Sequence, residues 1–92
     1  MAKFKILTSF KITGRGLVIV GDIIEGKIQK GNWITFKHGK TEIRKEIGEI
    51  EIVDKIVERI AHVGILLKYA NKVEREEFSK LRIEEQIVEI EK

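Results

Sequence analysis

Apolar residues recur at every second position along much of this chain, in short runs that glycines and charged segments separate. Residues 4–12 alternate in this way, and a period of two predicts a strand with one buried face. The apolar runs at 17–20, 33–36 and 63–69 are rich in β-branched side chains and predict three further strands. The buried face of the first strand is predicted to carry Phe4, Ile6, Thr8, Phe10 and Ile12.

Turns and a change of register are indicated between these runs. The segments QKGN at 29–32 and KHGK at 37–40 combine glycine with polar residues, as tight turns do. The apolar positions change parity between Ile47 and Ile50. Because a β-bulge inserts one extra residue into a strand, this change predicts a bulge near Gly48.

The end of the chain is more polar. The segment NKVEREEF at 71–78 is too polar for a core strand and predicts a loop or a short helix near 71–80. The sequence IVEI at 87–90 predicts a last strand. A single amphipathic helix from Val73 to Ile90 is the alternative interpretation of the same residues.

The composition agrees with a β fold. Ile and Val total 24 residues, whereas Leu and Ala total 8, and branching at Cβ suits a pleated strand better than a helix. About six to eight short strands must close or stack their sheets in order to bury both faces. We therefore predict an all-β fold, a small closed antiparallel β-barrel in which residues 1–92 form a single domain.

Cysteine and long apolar segments are both missing from the sequence. Without cysteine there is no disulfide framework and no thiolate chemistry. The uncharged N-terminal stretch ends at Lys11, too early for a signal peptide, and no run approaches the roughly 18 apolar residues of a membrane span. We expect a cytoplasmic protein with no membrane contact.

The glycines do not form a nucleotide-binding motif. The GRG at 14–16 is followed by strand-like residues, whereas a dinucleotide fingerprint opens a helix. The GKT at 39–41 resembles the end of a P-loop, but the position of the partner glycine is Ile34. We expect neither a bound nucleotide nor another cofactor.

The stretch FKITGRGLVIVGDIIEGKIQKGNWI, Phe10–Ile34, resembles the second domain of translational GTPases, the β-barrel of elongation factor Tu and its relatives. AHVGILLK at 61–68 and EREEF at 74–78 are similar to later segments of the same domain, so the resemblance covers about residues 4–90. It implies that the glycines are corner residues of a barrel, as tight turns and close backbone approaches require. These turn glycines are Gly14, Gly16, Gly21, Gly26 and Gly31.

The resemblance implies a binding module rather than an enzyme. In that family the barrel carries the acceptor end of aminoacyl-tRNA or touches ribosomal RNA of the small subunit. Leu7 and Thr8 stand where the tRNA carriers have acidic residues, Val20 where they often have threonine, and His62 where they commonly have asparagine. The aminoacyl pocket is therefore not expected to be intact. The chain has no GTPase motif, so we expect a free-standing barrel, a subunit of a larger assembly or a remnant.

Positive charge is concentrated in the first half of the chain. Residues 1–45 hold 10 Lys and Arg against 3 Asp and Glu, whereas residues 46–92 hold 8 against 12. Basic residues next to an aromatic side chain suit RNA, so we predict RNA or ribosome binding. Arg15 between its two glycines could equally brace the barrel. The predicted nucleic-acid-binding residues are Arg15, Lys27, Lys30, Trp33, Lys37, Lys40, Arg44 and Lys45.

A protein partner is the alternative prediction. Two acidic runs could drive self-association into a homo-oligomer, or docking to another protein, through opposed charges. Solvated surface is the plainer interpretation of both. The runs are Glu46, Glu49, Glu51, Asp54 and Glu58, and then Glu74, Glu76, Glu77, Glu84 and Glu85.

Catalysis and metal binding are not expected. His38 in a predicted turn and His62 in a predicted loop are the only two histidines. No serine or carboxylate stands at a spacing that indicates a triad, and two scattered histidines make no metal site.

Overall fold

Six strands and one short helix make up the structure, a computed structural model that describes the backbone of residues 2–55 and 60–92 and the side chains of residues 2–52 and 62–92. In chain order these elements are β1 (Ala2–Ile12), β2 (Gly16–Glu25), β3 (Trp33–His38), β4 (Thr41–Lys55), β5 (Ile60–Leu67), α1 (Lys72–Ser79) and β6 (Gln86–Glu91).

The strands close into an antiparallel barrel in the order β1-β2-β5-β4-β3-β6, which confirms the predicted fold class. β4 pairs with β3 through its first residues and with β5 through its later ones. The register between β4 and β5 shifts between Ile47 and Glu49, so the predicted bulge at Gly48 is confirmed. A bulge bends its strand, and β4 uses this one as it passes from one neighbour to the other.

The core fills the inside of the barrel with alternate side chains from every strand. Phe4, Phe36 and Ile65 are fully or almost fully buried there, and Tyr69 and Phe78 pack against the same cluster. A smaller cluster of Val18, Val20 and Leu66 is buried on the opposite faces of β2 and β5. The continuous apolar run of β2 therefore contributes side chains to both clusters: Leu17 and Ile19 to the core, and Val18 and Val20 to the cluster on the other side of the sheet.

The predicted buried face of β1 is right for Phe4 and Ile6 and wrong for Thr8 and Phe10. The register with β2 shifts between Ile6 and Thr8, and beyond this point the other set of side chains faces inward. Phe10 is consequently 43% exposed. Ser9 uses its hydroxyl oxygen to accept a hydrogen bond of 2.9 Å from the backbone N–H of Ile83.

The end of the chain forms a short helix and a strand, as predicted, and the alternative long helix from Val73 to Ile90 does not occur. Asn71 caps α1 by accepting a 2.9 Å hydrogen bond from the N–H of Glu74. The Glu74 carboxylate in turn accepts one of 3.2 Å from the N–H of Ala70. Such reciprocal bonds satisfy donors that the first turn of a helix leaves unpaired.

Of the predicted turn glycines, Gly14, Gly16, Gly26 and Gly31 lie in turns or where a strand begins or ends, whereas Gly21 lies inside β2 and not at a corner. Gly21 is required for a different reason from the others. Its φ is not positive, and what matters there is the absence of a side chain. A Cβ at Gly21 would lie 1.9 Å from the carbonyl oxygen of Lys5 and 2.9 Å from Cε1 of Phe4. β1 and β2 therefore approach so closely here that only glycine fits. The glycines with positive φ are Gly14, Gly16, Gly26, Gly31 and Gly39.

Gly21→Ala is expected to destabilise the barrel by about 2 kcal/mol or more, because the new methyl group can be accommodated only if the backbones of β1 and β2 separate. Urea unfolding of the two proteins measures this difference. Gly14→Ala is the control, since a Cβ there meets no atom within 4 Å. The free energy of unfolding of the control should fall by only roughly 1 kcal/mol, which is the strain of a non-glycine residue at positive φ. Equal losses in the two variants would contradict the steric explanation.

Candidate nucleic-acid interface

The predicted basic residues of β3 and β4 lie on the outer face of the barrel, with one exception. Ile34 and Phe36 point into the core, so Trp33 and Lys37 of the same strand point outward. Arg44 pairs across the strands with Thr35 and shares this outer face. Lys45 is the exception: it pairs with the inward-facing Ile34, so its side chain does not lie on the outer face.

Carboxylates balance the charge on this outer face. Glu46 pairs with Trp33 across the strands, and Glu42 pairs with Lys37. Arg44 lies 3.6 Å from the Glu91 carboxylate of β6, and its guanidinium lies 4.6 Å from the centre of the Trp33 ring. A cation over an aromatic face is favourable in itself, so Arg44 already has two partners within the chain.

A groove of about 630 Å³ crosses the seam between β3 and β6 on the same side of the barrel. Its charged lining consists of two cations and three carboxylates. A polyanion would therefore meet a net negative groove here, although the sequence suggested a basic face. These charged residues are Lys37, Glu42, Arg44, Glu89 and Glu91.

Lys45 holds the helix to the barrel instead of facing solvent. Its side chain is only 19% exposed, and it forms an ion pair with Glu74. Its ammonium group also lies 5.9 Å from the Tyr69 ring centre and 5.4 Å from that of Phe78. Hydrogen bonds from Lys45 and from the N–H of Ala70 lower the pKa of the Glu74 carboxyl below its usual value of 4.5.

Arg15 braces the outer surface of the barrel, and its partners are carboxylates. Its Nη2 lies 2.5 Å from Oε2 of Glu49 and 2.5 Å from Oε1 of Glu51. These hydrogen bonds, with Glu51 the larger contributor, raise the pKa of the guanidinium. Arg15 belongs to the turn between β1 and β2, so the ion pairs tie this turn to β4 across the intervening strand β5.

Lys27, Lys30 and Lys40 lie in turns. Lys40 is exposed in the tight turn between β3 and β4, and Lys30 is exposed in the loop between β2 and β3. Lys27 of the same loop lines a cleft of about 280 Å³ together with Lys92, and no side-chain carboxylate is among the described residues of this lining. This cleft is the part of the predicted site that keeps a positive charge.

The loop that carries Lys27 and Lys30 is held in place by its own backbone. Gly31 donates a 2.9 Å hydrogen bond to the carbonyl of Ile47. Asn32 donates from its N–H to the carbonyl of Gln29 at 3.0 Å, and its side-chain oxygen accepts from the N–H of Gln29 at 2.9 Å. A loop closed in this way presents its lysines from a fixed backbone.

His62 lies in strand β5, so the predicted loop position is wrong. It is 8% exposed, and its Nδ1 lies 2.8 Å from Oδ1 of Asp22 on β2. The sequence analysis missed this pair because 40 residues separate the two side chains. Only the alignment of β2 with β5, which places Gly21 opposite Val63, shows that the residues meet.

Three of the four positions that the resemblance associates with an aminoacyl pocket share one face; the fourth, Leu7, has no partner in the pairing of β1 with β2. Thr8 pairs with Val20 across β1 and β2, and His62 lies two residues from the Gly64 that pairs with Val20. Their chemistry remains that of the sequence: a hydroxyl, an isopropyl group and an imidazole already bonded to Asp22. Among the described side chains, those of residues 2–52 and 62–92, no cluster of His, Cys, Asp and Glu could hold a metal ion.

Comparison of the chain with models of protein families, with curated proteins and with solved structures yields no match in any of the three. The described part of the chain contains no helix with the length and apolar character needed to cross a membrane.

The pKa of Glu74 predicts a pH dependence of stability. A carboxyl whose pKa is lower in the folded than in the unfolded protein stabilises the fold above the unfolded pKa, and this contribution is lost as the pH falls through the folded pKa. Glu74→Gln should therefore lower the free energy of unfolding at pH 7, and the difference from the unmodified protein should shrink at pH 3. Urea unfolding of both proteins at pH 7 and at pH 3 measures this difference in the free energy of unfolding.

Glu77→Gln, on the same helix, is the matched control for this change. It removes the same charge without removing the ion pair to Lys45. A Glu74→Gln difference that stays constant between pH 7 and pH 3 would contradict a role for the ionised pair.

Proposed function

We propose that this protein is a non-catalytic RNA-binding module whose RNA contacts centre on the loop between β2 and β3. The observation that carries the proposal is the cleft formed by Lys27 and Lys92, which has no side-chain carboxylate among its described lining residues. The resemblance of residues 10–34 to the barrel of translational GTPases supports the same class of ligand.

Phosphate groups are the expected contacts of these lysines. Each lysine that neutralises a phosphate releases condensed counterions, which supplies most of the affinity of nonspecific binding. The fixed loop backbone lowers the entropic cost, because only the lysine side chains have to be ordered. Lys30, exposed in the same loop, extends the positive surface beyond the cleft.

Trp33 stands at the border of this cleft and supplies a base-stacking surface. Asn32 lines the cleft and Trp33 follows it directly, while Glu91, which pairs with Trp33, precedes Lys92. The indole is partly exposed, and Arg44 covers its face at 4.6 Å. Aromatic rings stack with nucleobases, so Trp33 is the base-stacking contact that we propose.

The proposed interface is therefore smaller than the sequence prediction. Lys37 and Arg44 belong to the charge-balanced groove, and Lys45 and Arg15 are engaged in ion pairs within the fold. The contacts that we propose are Lys27, Lys30, Trp33 and Lys92.

Protein binding is a second candidate, favoured by exposed isoleucines at one end of the barrel. Ile52 is 66% exposed, and Ile23 and Ile24 are also exposed. Ile52 lies opposite Val63, which in turn lies opposite Gly21, two residues before Ile23. Exposed apolar side chains occur at protein interfaces, and these three residues are the candidates for such a contact. Such binding would depend little on salt.

The test is the binding of a fluorescein-labelled 12-nucleotide oligouridylate, measured by fluorescence anisotropy from about 50 to 300 mM salt, a range over which nucleic-acid affinities fall steeply. We expect a linear decrease of the logarithm of affinity with the logarithm of salt concentration. In Lys27→Gln/Lys30→Gln the slope should fall by about 1.4, since each lost phosphate contact on a single strand contributes about 0.7.

Lys5→Gln/Lys68→Gln is the matched control, because it removes the same charge from exposed lysines outside this cleft. The control should keep the slope of the unmodified protein. The proposal is overturned if the protein does not bind the oligonucleotide at the lowest salt concentration, or if the two double variants lose the same slope.

A further inference from the structure

We propose that a second cleft, between the β1–β2 turn and helix α1, binds a phosphate group. The cleft has a volume of about 320 Å³. This proposal rests on the proposed function for the source of the phosphate, which is an RNA strand. The preference of the cleft for phosphate is tested separately. None of its three cations, Lys11, Arg75 and Lys80, is among the predicted nucleic-acid-binding residues or lines the first cleft.

The charge of the cleft comes from opposite ends of the sequence. Lys11 from β1, Arg75 from α1 and Lys80 at the end of α1 line it together with a single carboxylate, Glu76. Because 64 residues separate Lys11 from Arg75 and the second half of the chain is acidic overall, the sequence does not reveal this cluster. The fold creates it by placing α1 beside the end of β1.

The three cations have no ion-pair partner among the described residues, in contrast to their neighbours. Arg15 in the same turn has two carboxylate partners, and Lys45 beneath the helix has Glu74. Cations that brace this end of the barrel are thus neutralised, whereas those that line the cleft are not. Like charges held together repel one another, and an anion between them would relieve the repulsion.

The wall formed by the β1–β2 turn is open to a ligand. Gly14 has a φ of 83°, and a Cβ there would meet no atom within 4 Å, so the backbone is bare on the side where a side chain would stand. Gly16 acts differently, because a Cβ there would lie 2.9 Å from Cγ of Arg75. The stem of Arg75 therefore lies against Gly16, which brings this arginine to the wall of the cleft.

Phosphate fits this set of donors better than a carboxylate does. An arginine presents its N–H groups as a planar fork to two oxygens, while lysines add point charges that a dianion can satisfy together. The residual carboxylate of Glu76 lowers the affinity for any anion without reversing the sign of the cleft. Pyrophosphate is accordingly a suitable small probe, and the oligouridylate is the corresponding macromolecular one.

This cleft lies at the opposite end of β1 from the first. Ala2, where β1 begins, lines the cleft of Lys27, and Ile12, where β1 ends, lines this one. Eleven residues of strand extend roughly 36 Å at about 3.3 Å per residue, comparable to the 35 Å length of the molecule. An RNA strand that contacted both clefts would have to run along the whole barrel.

The first arm of the test is titration of the protein with sodium pyrophosphate, followed by amide NMR shifts. We expect saturable shifts at Gly14 and Lys80. In Lys11→Gln/Lys80→Gln the affinity should fall at least about tenfold, because two charged hydrogen-bond donors are lost. Arg75→Lys, which keeps the charge and loses the fork, should also bind more weakly. Lys5→Gln/Lys68→Gln should leave the affinity unchanged.

Shifts that do not saturate, or that Lys11→Gln/Lys80→Gln leaves unaltered, would overturn the phosphate site. The second arm repeats the oligouridylate salt titration with this variant. A slope lower by about 1.4 assigns the site to an RNA strand. An unchanged slope together with lost pyrophosphate binding supports the site and assigns it to a free phosphate compound. Only the Lys27→Gln/Lys30→Gln variant tests the proposed function, so the two failures are distinguishable.

Discussion

The barrel depends on the last strand, because β6 is hydrogen-bonded to both β1 and β3. Its pairing with β1 covers five residues, whereas its pairing with β3 covers only Trp33 and Ile34. Gln86 extends the shorter seam: its side-chain amide accepts from the N–H of Lys37 at 2.8 Å and donates to the carbonyl of Lys37 at 2.9 Å. An amide side chain thus takes the place of a strand backbone where β6 begins. Without β6 the sheet would have two free edges, and the core would be open along its length.

Closure also decides which charges remain available to a ligand. Residues far apart in the sequence become partners once the sheet is closed, as Arg15 does with Glu49 and Lys45 with Glu74. These ion pairs neutralise part of the positive charge that the first half of the chain carries. Positive charge without an ion-pair partner among the described residues remains at both ends of β1, where loops and the helix meet the barrel.

Local patterns in the sequence predicted the elements well and the contacts between distant elements poorly. The period of two located the strands, and the parity change between Ile47 and Ile50 located the bulge at Gly48. The register shift in β1 was missed, because the glycine that marks it, Gly21, lies opposite Ile6 on the partner strand and not in β1 itself. The pairs His62–Asp22 and Lys45–Glu74 depend on strand order and on the position of α1, neither of which a local pattern contains.

Helix α1 has no buried residue of its own and is held to the barrel at few points. Lys45 bonds to Glu74, and the Phe78 ring lies 5.5 Å from that of Tyr69, whose hydroxyl accepts a 3.1 Å hydrogen bond from the N–H of Leu17. Segments with so few apolar contacts open locally at a free energy well below that of global unfolding. The amides of α1 should therefore exchange with solvent faster than those of β2, and the helix can leave the barrel while the six strands stay closed.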